Sequence, residues 1–317
     1  MTSAVPTVPP SPGPAAARHS SSRRALQRNL EGWLFASPWI IGFFLWTLGP
    51  MLASLVIAFT KWDLITAPTY IGLDNFRTLA NDSLTWQSLK VTLVYAVTSV
   101  PLHIVFGMVL ALMLNTHIRG QRFYRTAFYL PSVLSGVAVA LLWRWLFSTE
   151  FGLFNVLLSY AGITGPSWLG DPKWALPSLV LMSLWGVGAG TIIYLAGLQG
   201  IPTDLYEAAE VDGANGWRQF WSITVPMMTP VLFFQLVTGI IFALQVFTQA
   251  FIMTSGGPNN ATLFYLLYLY RNAFEYFRMG YASALAWVLF VFILVLTLIL
   301  YRSSGYWVYY EGEEKKA

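Results

Sequence analysis

The chain contains no cysteine, which excludes disulfide frameworks and thiolate metal sites. Charge is scarce too. Only 10% of the 317 residues are Asp, Glu, Lys or Arg, against about 25% in an ordinary soluble domain. So few charges cannot keep a globular surface wet, and a hydrophobic content of 56% excludes disorder for the bulk of the chain. No Gly-Lys dipeptide occurs, so the phosphate-cradling GxxxxGK[ST] loop is absent and this chain does not supply an ATPase site. Three histidines without a cysteine leave little from which to build a membrane-embedded enzyme.

What the chain does have is long uncharged runs. A bilayer core of about 30 Å needs about 20 apolar residues in a helix. Six stretches qualify, at about 33–59, 91–114, 126–147, 174–199, 227–254 and 279–301. Within the third, Arg144 falls near the end and is expected to snorkel to an interface. Runs this long and continuous are helical, since barrel strands would be shorter and alternate. The expected fold is therefore all-α, a polytopic membrane protein with six transmembrane helices. The turn Ser255-Gly256-Gly257-Pro258-Asn259-Asn260 ends the fifth run. The remainder, Ala261 to Tyr270, is too short to cross and reads as an interfacial or periplasmic helix.

Basic residues set the orientation. Arg18, Arg23, Arg24 and Arg28 precede the first run, Arg119, Arg122 and Arg125 follow the second, Arg218 follows the fourth, and Arg302, Lys315 and Lys316 follow the last. That bias places both termini in the cytoplasm. Residues 1–30 begin with a proline-rich stretch and continue Ser/Arg-rich, and read as a disordered cytoplasmic tail. Residues 31–305 form the transmembrane domain, and 306–317 a cytoplasmic C-terminal tail. The net charge of +4 follows from this topology. No basic cluster interleaved with aromatics points to nucleic acid.

The link at 201–226 carries the sharpest signal. Pro202 and Thr203 suit a helix start, and Asp204 suits its first turn. Gly213 after Asp212 suits a left-handed stop. A second short helix at about 214–223 would turn Trp217, Phe220 and Trp221 toward the membrane. Physics alone leaves an amphipathic connector and a partner-binding helix about equally open.

The run Glu207-Ala208-Ala209, then Asp212-Gly213-Ala214, Phe220, Ile223, Pro226 and Pro230, resembles the EAA loop of ABC-importer permeases. Flanking segments agree, among them Leu195-Ala196-Gly197-Leu198-Gln199, Gly256-Gly257-Pro258 and Arg278-Met279-Gly280-Tyr281-Ala282. Together they are similar to the carbohydrate-uptake, maltose-type first permease subunit, from about Leu30 to the C terminus. The resemblance implies a binding-protein-dependent importer in a bacterial or archaeal plasma membrane. It implies a cytoplasmic coupling helix in which Glu207, Ala208, Ala209, Glu210, Asp212 and Gly213 seat on an ATPase subunit. The implied partners are a second permease, two ATPases holding ATP and Mg, and an extracytoplasmic solute-binding protein. No cofactor or metal is expected on this chain.

Within the spans, Gln235, Gln245 and Gln249, with Trp143, Trp185 or Tyr194, are candidates for a sugar pathway, because sugars are bound by amides and aromatic faces. Interhelical hydrogen bonding is the plainer alternative for the glutamines. Glycerol phosphate or another polyol is the nearest rival substrate, and since no Lys or Arg lies deep in a span to meet a phosphate, a neutral sugar is favoured. No Asp or Glu lies within a span to pair with His103, which argues against a proton-coupled secondary transporter and reads His103 as a neutral group bonded to a neighbouring helix. Gly186, Gly188 and Gly190 form a small-residue face suited to close helix packing.

Overall fold

The computed structural model describes residues 17–116 and 119–309, with 17–28 as backbone alone. The chain divides into two units between Val56 and Ile57. The first holds α1 (Ala17–Phe43), a π-helical turn (Phe44–Leu48) and most of α2 (Gly49–Ile57). Helix thus begins at Ala17, where a disordered tail is expected. Arg, Ala, Leu and Gln in 17–30 are strong helix formers, and the five prolines of the expected tail lie outside the described residues. Residues 29–57 are long and apolar enough to cross a membrane, and side chains such as Phe35 and Trp46 stand exposed.

The second unit opens with a two-stranded hairpin, β1 (Thr60–Lys61) and β2 (Thr69–Tyr70), and then α3 (Asp74–Asn81). Two long helices frame the rest, α4 (Ser83–Asn115) and the C-terminal Met279–Trp307. Both match predicted spans, extended by one to two turns. Asp82 caps α4 by accepting from the Leu84 N–H at 3.0 Å.

The third and fourth spans are broken. One is α5 (Gln121–Val133) and α6 (Gly136–Leu146), bent by 99°. A single helix over 126–147 was the expectation. Pro131 lacks an N–H and Leu134 is extended, so the chain turns before Gly136 starts a new helix. After α7 (Leu153–Tyr160) the other pair follows, α8 (Pro172–Leu184) and α9 (Gly188–Gln199), bent by 50° around Gly186. Counting each bent pair once gives six candidate spans among the described residues.

The linker holds α10 (Thr203–Val211) and α11 (Gly216–Gln219), and α11 continues through a π turn (Phe220–Thr224) into α12 (Val225–Ala243). The separate second helix expected at 214–223 is thus the first part of the fifth span. Asn215 caps it, accepting from the Arg218 N–H at 2.9 Å. That polar cap sets the start at 216 rather than 227. The span ends at Ala243, and a third π turn occupies Ala250–Thr254.

The segment read as an interfacial or periplasmic helix is packed into the core of the chain. In α13 (Tyr265–Tyr270), Tyr265, Leu267 and Tyr268 are buried. The Tyr265 N–H donates to Thr92 Oγ1 at 2.9 Å, and its hydroxyl donates to the Leu285 carbonyl of α14 (Met279–Trp307) at 3.1 Å. Apolar length is too short for a span, yet aromatic bulk is ample for a plug between α4 and α14.

One carboxylate ties this corner together. Asp82 Oδ2 accepts from the hydroxyls of Tyr268 and Tyr281, and from Thr85 at 3.1 Å. Burial raises the Asp82 pKa, but the donors outweigh it and hold the carboxyl below the ordinary carboxylate range. A depressed folded-state value stabilises the fold above the unfolded value of about 3.9, and that contribution is lost as pH falls through the folded value. Asp82→Ala removes the acceptor of two tyrosine hydroxyls; Tyr281 keeps Thr85 Oγ1 at 3.0 Å, so the main cost falls on Tyr268, at about 1–3 kcal/mol. Thermal melts of the purified protein should show a lowered midpoint at pH 7, and a smaller acid-induced drop below about pH 4 than wild type.

Candidate functional site: a cavity and an acidic helix

A cavity of about 520 Å³ lies among α4, α8, α9, α12 and the 244–249 turn. Three predicted glutamines and Tyr194 line it. They lie on three different pieces of backbone: Gln235 on α12, which stops at Ala243, Gln245 on the turn after it, and Gln249 at the start of the π turn Ala250–Thr254. The cavity is nevertheless common to all three. Gln235 Nε2 donates to the Gly190 carbonyl at 3.4 Å and Gln245 Nε2 to the Ile241 carbonyl at 3.0 Å, so each amide keeps its oxygen for other donors. Tyr194 is buried at the cavity floor.

Trp143 and Trp185 are placed elsewhere. Neither lines the cavity. Trp143 packs on Phe147, Phe154 and Trp185 in an aromatic cluster that continues to Trp168. Indole bulk in a span was the signal, and it serves packing here. Six polar cavity residues were not singled out as pathway groups: Tyr95, Ser99, His103, Ser183, Thr238 and Thr248. Polar residues inside apolar runs were their only mark. His103 bonds to its own helix through Ser99 and to α8 through Ser183.

The break between α8 and α9 lies on the cavity wall, where Gly186, Val187, Ala189 and Gly190 face inward. A Cβ on Gly188 would stand 1.8 Å from the Phe128 carbonyl oxygen, and one on Gly190 would stand 2.6 Å from Gln235 Nε2. Of the small-residue face, Gly188 and Gly190 carry close packing inside this chain. Gly186 does not, its nearest obstacle being 3.4 Å away.

Below the floor lies a second packed cluster. Met108, Ala111, Tyr194, Leu198, Ile201 and Met228 are its buried members, with Tyr206, Phe220 and Ile223 against it. Tyr206 anchors α10 there, and its hydroxyl meets Thr224 Oγ1 at 2.9 Å. Tyr206 did not stand out in the sequence. With it inward, Glu207, Ala208, Glu210, Asp212 and Gly213 are exposed and Ala209 is half-buried. The helix stop is built as its glycine suggests. Gly213 has φ +77°, its N–H donates to the Glu210 carbonyl at 3.0 Å, and the Ala214 N–H reaches back to Ala209 at 2.9 Å. This is the Schellman arrangement. The Asp212 backbone N–H closes onto Ala208 at 3.1 Å. Val211 and Trp217 project beside the acids, 89% and 70% exposed. The exposed face is therefore acidic and apolar together, on a helix pinned from behind.

Residues 103–306 match the model of the binding-protein-dependent transport system inner membrane component. The chain belongs to that family. The permease is 48% identical over 299 residues to the probable ABC transporter permease protein YesP of Bacillus subtilis, covering 93% of this chain and 96% of that one. It is 35% identical to the lactose transport system permease protein LacF of Rhizobium radiobacter, over 90% of this chain and 98% of that one. Among solved structures it is similar to a bacterial ABC transporter involved in import of the acidic polysaccharide alginate, with TM-score 0.80, 27% identity, and coverage of 90% of this chain and 98% of that one. The permease is thus a multi-pass, all-helical membrane protein with the ABC-importer permease fold, a subunit of a binding-protein-dependent sugar importer.

Proposed function

We propose that this permease forms one half of a sugar translocation pore, driven by ATP hydrolysis on separate ATPase subunits. The observation that carries this reading is the seating of α10. Its acids and apolar side chains face outward, while Tyr206 joins it to the cluster that holds Tyr194 at the cavity floor. A push on α10 is thereby delivered through packed side chains to the cavity wall, where the broken α8–α9 pair offers a place to give. ATP-driven closure of the ATPases would rock the bundle between inward-open and outward-open states, a rigid-body transition. The partners are a second, related permease, two ATPases carrying ATP and Mg, and an extracytoplasmic binding protein. Basic residues near the span ends support cytoplasmic termini and a cytoplasmic α10.

The substrate class is a mono- or oligosaccharide. Gln235, Gln245, Gln249 and Tyr194 suit hydroxyl-rich ligands. The sugars named for the relatives, lactose in one and alginate in the other, include neutral and acidic types. Reconstitution tests the proposal. Proteoliposomes holding the permease pair, ATPases and binding protein should take up sugar only with internal ATP and Mg. The permease alone should take up none. Full-rate uptake by the permease alone would place it among secondary transporters.

A further inference from the structure

Tyr194 lines the cavity, yet its side chain has almost no free surface. It is 2% exposed, so its ring offers no open face on which a sugar could stack. The same residue is a buried member of the packed cluster beneath the cavity. Among the described residues it alone belongs to both. It therefore marks a boundary, and three helices agree on where that boundary runs. Along α4, Ser99, His103 and Ile104 line the cavity, while Met108 and Ala111, one and two turns later, lie in the cluster. Along α9, Gly190 lines the cavity and Leu198 lies in the cluster. α12 runs the opposite way, with Met228 in the cluster and Gln235 in the cavity wall.

The ring is received by a glycine. A Cβ on Gly107 of α4 would stand 2.6 Å from Tyr194 Cε2 and 3.2 Å from Cδ2. Glycine within a helix gives up stability relative to alanine, and at Gly107 the room left by the missing methyl is filled by the ring. A second seam lies just beyond. A Cβ on Gly197 of α9 would stand 2.8 Å from Val231 Cγ2 and 2.9 Å from Met228 Sδ, so α9 and α12 are closed against each other one turn further on. The cavity is sealed at this end by an aromatic ring in a glycine slot, with apolar packing behind it.

We infer that Tyr194 is the inner gate of the sugar pathway. Seated against Gly107, its ring closes the cavity on the side where α10 lies, and passage requires the ring to leave that slot. The inference rests on reading the cavity as the pathway, and it gives Tyr194 the work of closure. The drive is local. The cluster that holds Tyr194 also takes Tyr206 of α10, so displacement of α10 shifts the packing under the gate without any charge having to move. A rigid ring suits such a part, since it either fills the slot or leaves it.

The chain has no cysteine, so Thr238→Cys supplies a single thiol on the cavity wall, one turn from Gln235. The test uses the full complex in inside-out membrane vesicles. An impermeant charged thiol reagent is added from the cytoplasmic side, with and without a non-hydrolysable ATP analogue, and its attachment to this chain is read by mass spectrometry. The reporter should label at least tenfold more slowly in one nucleotide state than in the other. Tyr194→Ala should erase that difference by raising the slow rate to the fast one, and Gly107→Ala should do the same by filling the slot. Tyr194→Phe keeps the ring and should keep the difference. If Tyr194 serves packing alone, Tyr194→Ala lowers the yield of complex but leaves the tenfold difference in what assembles, and that result overturns the inference. Loss of the difference in Tyr194→Phe overturns it too, because the ring would not be what closes. Equal labelling in both states with Thr238→Cys alone counts against the cavity as the pathway, and so against the reading beneath the inference. If Tyr194→Ala or Gly107→Ala does not assemble, Tyr194→Leu, which removes the ring but keeps apolar bulk, takes its place.

Discussion

Glu207→Lys is expected to leave the permease inserted and assembled, yet to cut sugar-stimulated ATP hydrolysis and uptake together. Glu207 is exposed on α10 and makes no ion pair among the described residues. Its loss therefore costs this chain little by itself, and surface substitutions away from buried networks stay within about 0.5 kcal/mol. Under the proposed coupling role, its effect would appear at the contact with the ATPase. Breaking a buried interfacial charge pair costs about 2–5 kcal/mol, roughly thirtyfold or more in coupling, and reversing the sign adds repulsion. Gly213→Pro probes the same lever through the backbone. Proline fixes φ near −65°, while Gly213 sits at +77° and donates its N–H to Glu210. The substitution removes the donor and the turn together, so α10 loses its stop and its register against α11. ATPase assays on the purified complex, with assembly checked by co-purification, measure both. Normal sugar-stimulated hydrolysis in an assembled Glu207→Lys complex would contradict the coupling role.

How much of this was legible depends on what each feature leaves in a sequence. α4 and α14 are continuous apolar runs, and reading them required only their length. The end of α10 was legible because few residues other than glycine accept the backbone of Gly213. The bend between α5 and α6 was not, because Pro131, Ser135 and Gly136 punctuate a run that charge counting treats as one piece. The packing of α13 was hidden for a related reason. Its ten-residue apolar stretch fits an interface as well as a core, and only the partners Thr92, Leu285 and Asp82 decide. Gln235, Gln245 and Gln249 stood out as uncharged polar groups in apolar surroundings. The cavity joins them through a turn that helical periodicity does not describe. Tyr206 was hidden because its role depends on Thr224, which lies in another helix. His103 was visible as a residue, but its meaning lies in two carbonyls, and carbonyls have no letter in a sequence.

Gly188→Ala should be among the most damaging single-methyl changes in the permease's interior. The obstacle is main chain: the added carbon would lie 1.8 Å from the Phe128 carbonyl oxygen and 2.6 Å from its carbon. Neither atom belongs to a side chain that can rotate away, so α5 and α9 must separate. Overpacking typically costs about 1–3 kcal/mol, and a backbone obstacle puts this site at or above the top of that range. For a chain of this size that corresponds to a fall in melting midpoint of about 5 °C. Function should suffer beyond stability, because Val187, Ala189 and Gly190 on the same segment form the cavity wall. Gly186→Ala is the matched control. Its added carbon meets nothing nearer than the Ser183 carbonyl at 3.4 Å, an ordinary contact. Gly186 is not among the left-handed glycines, so alanine fits its backbone and favours the fold by about 0.4–1 kcal/mol through the unfolded chain. The pair separates two meanings of the glycine face. If flexibility at the break were what mattered, Gly186→Ala would impair transport as much as Gly188→Ala. If close crossing of α5 over the start of α9 is what matters, Gly186→Ala transports normally and only Gly188→Ala fails. Melting curves and uptake rates for the two variants, measured on equal amounts of inserted protein, choose between them.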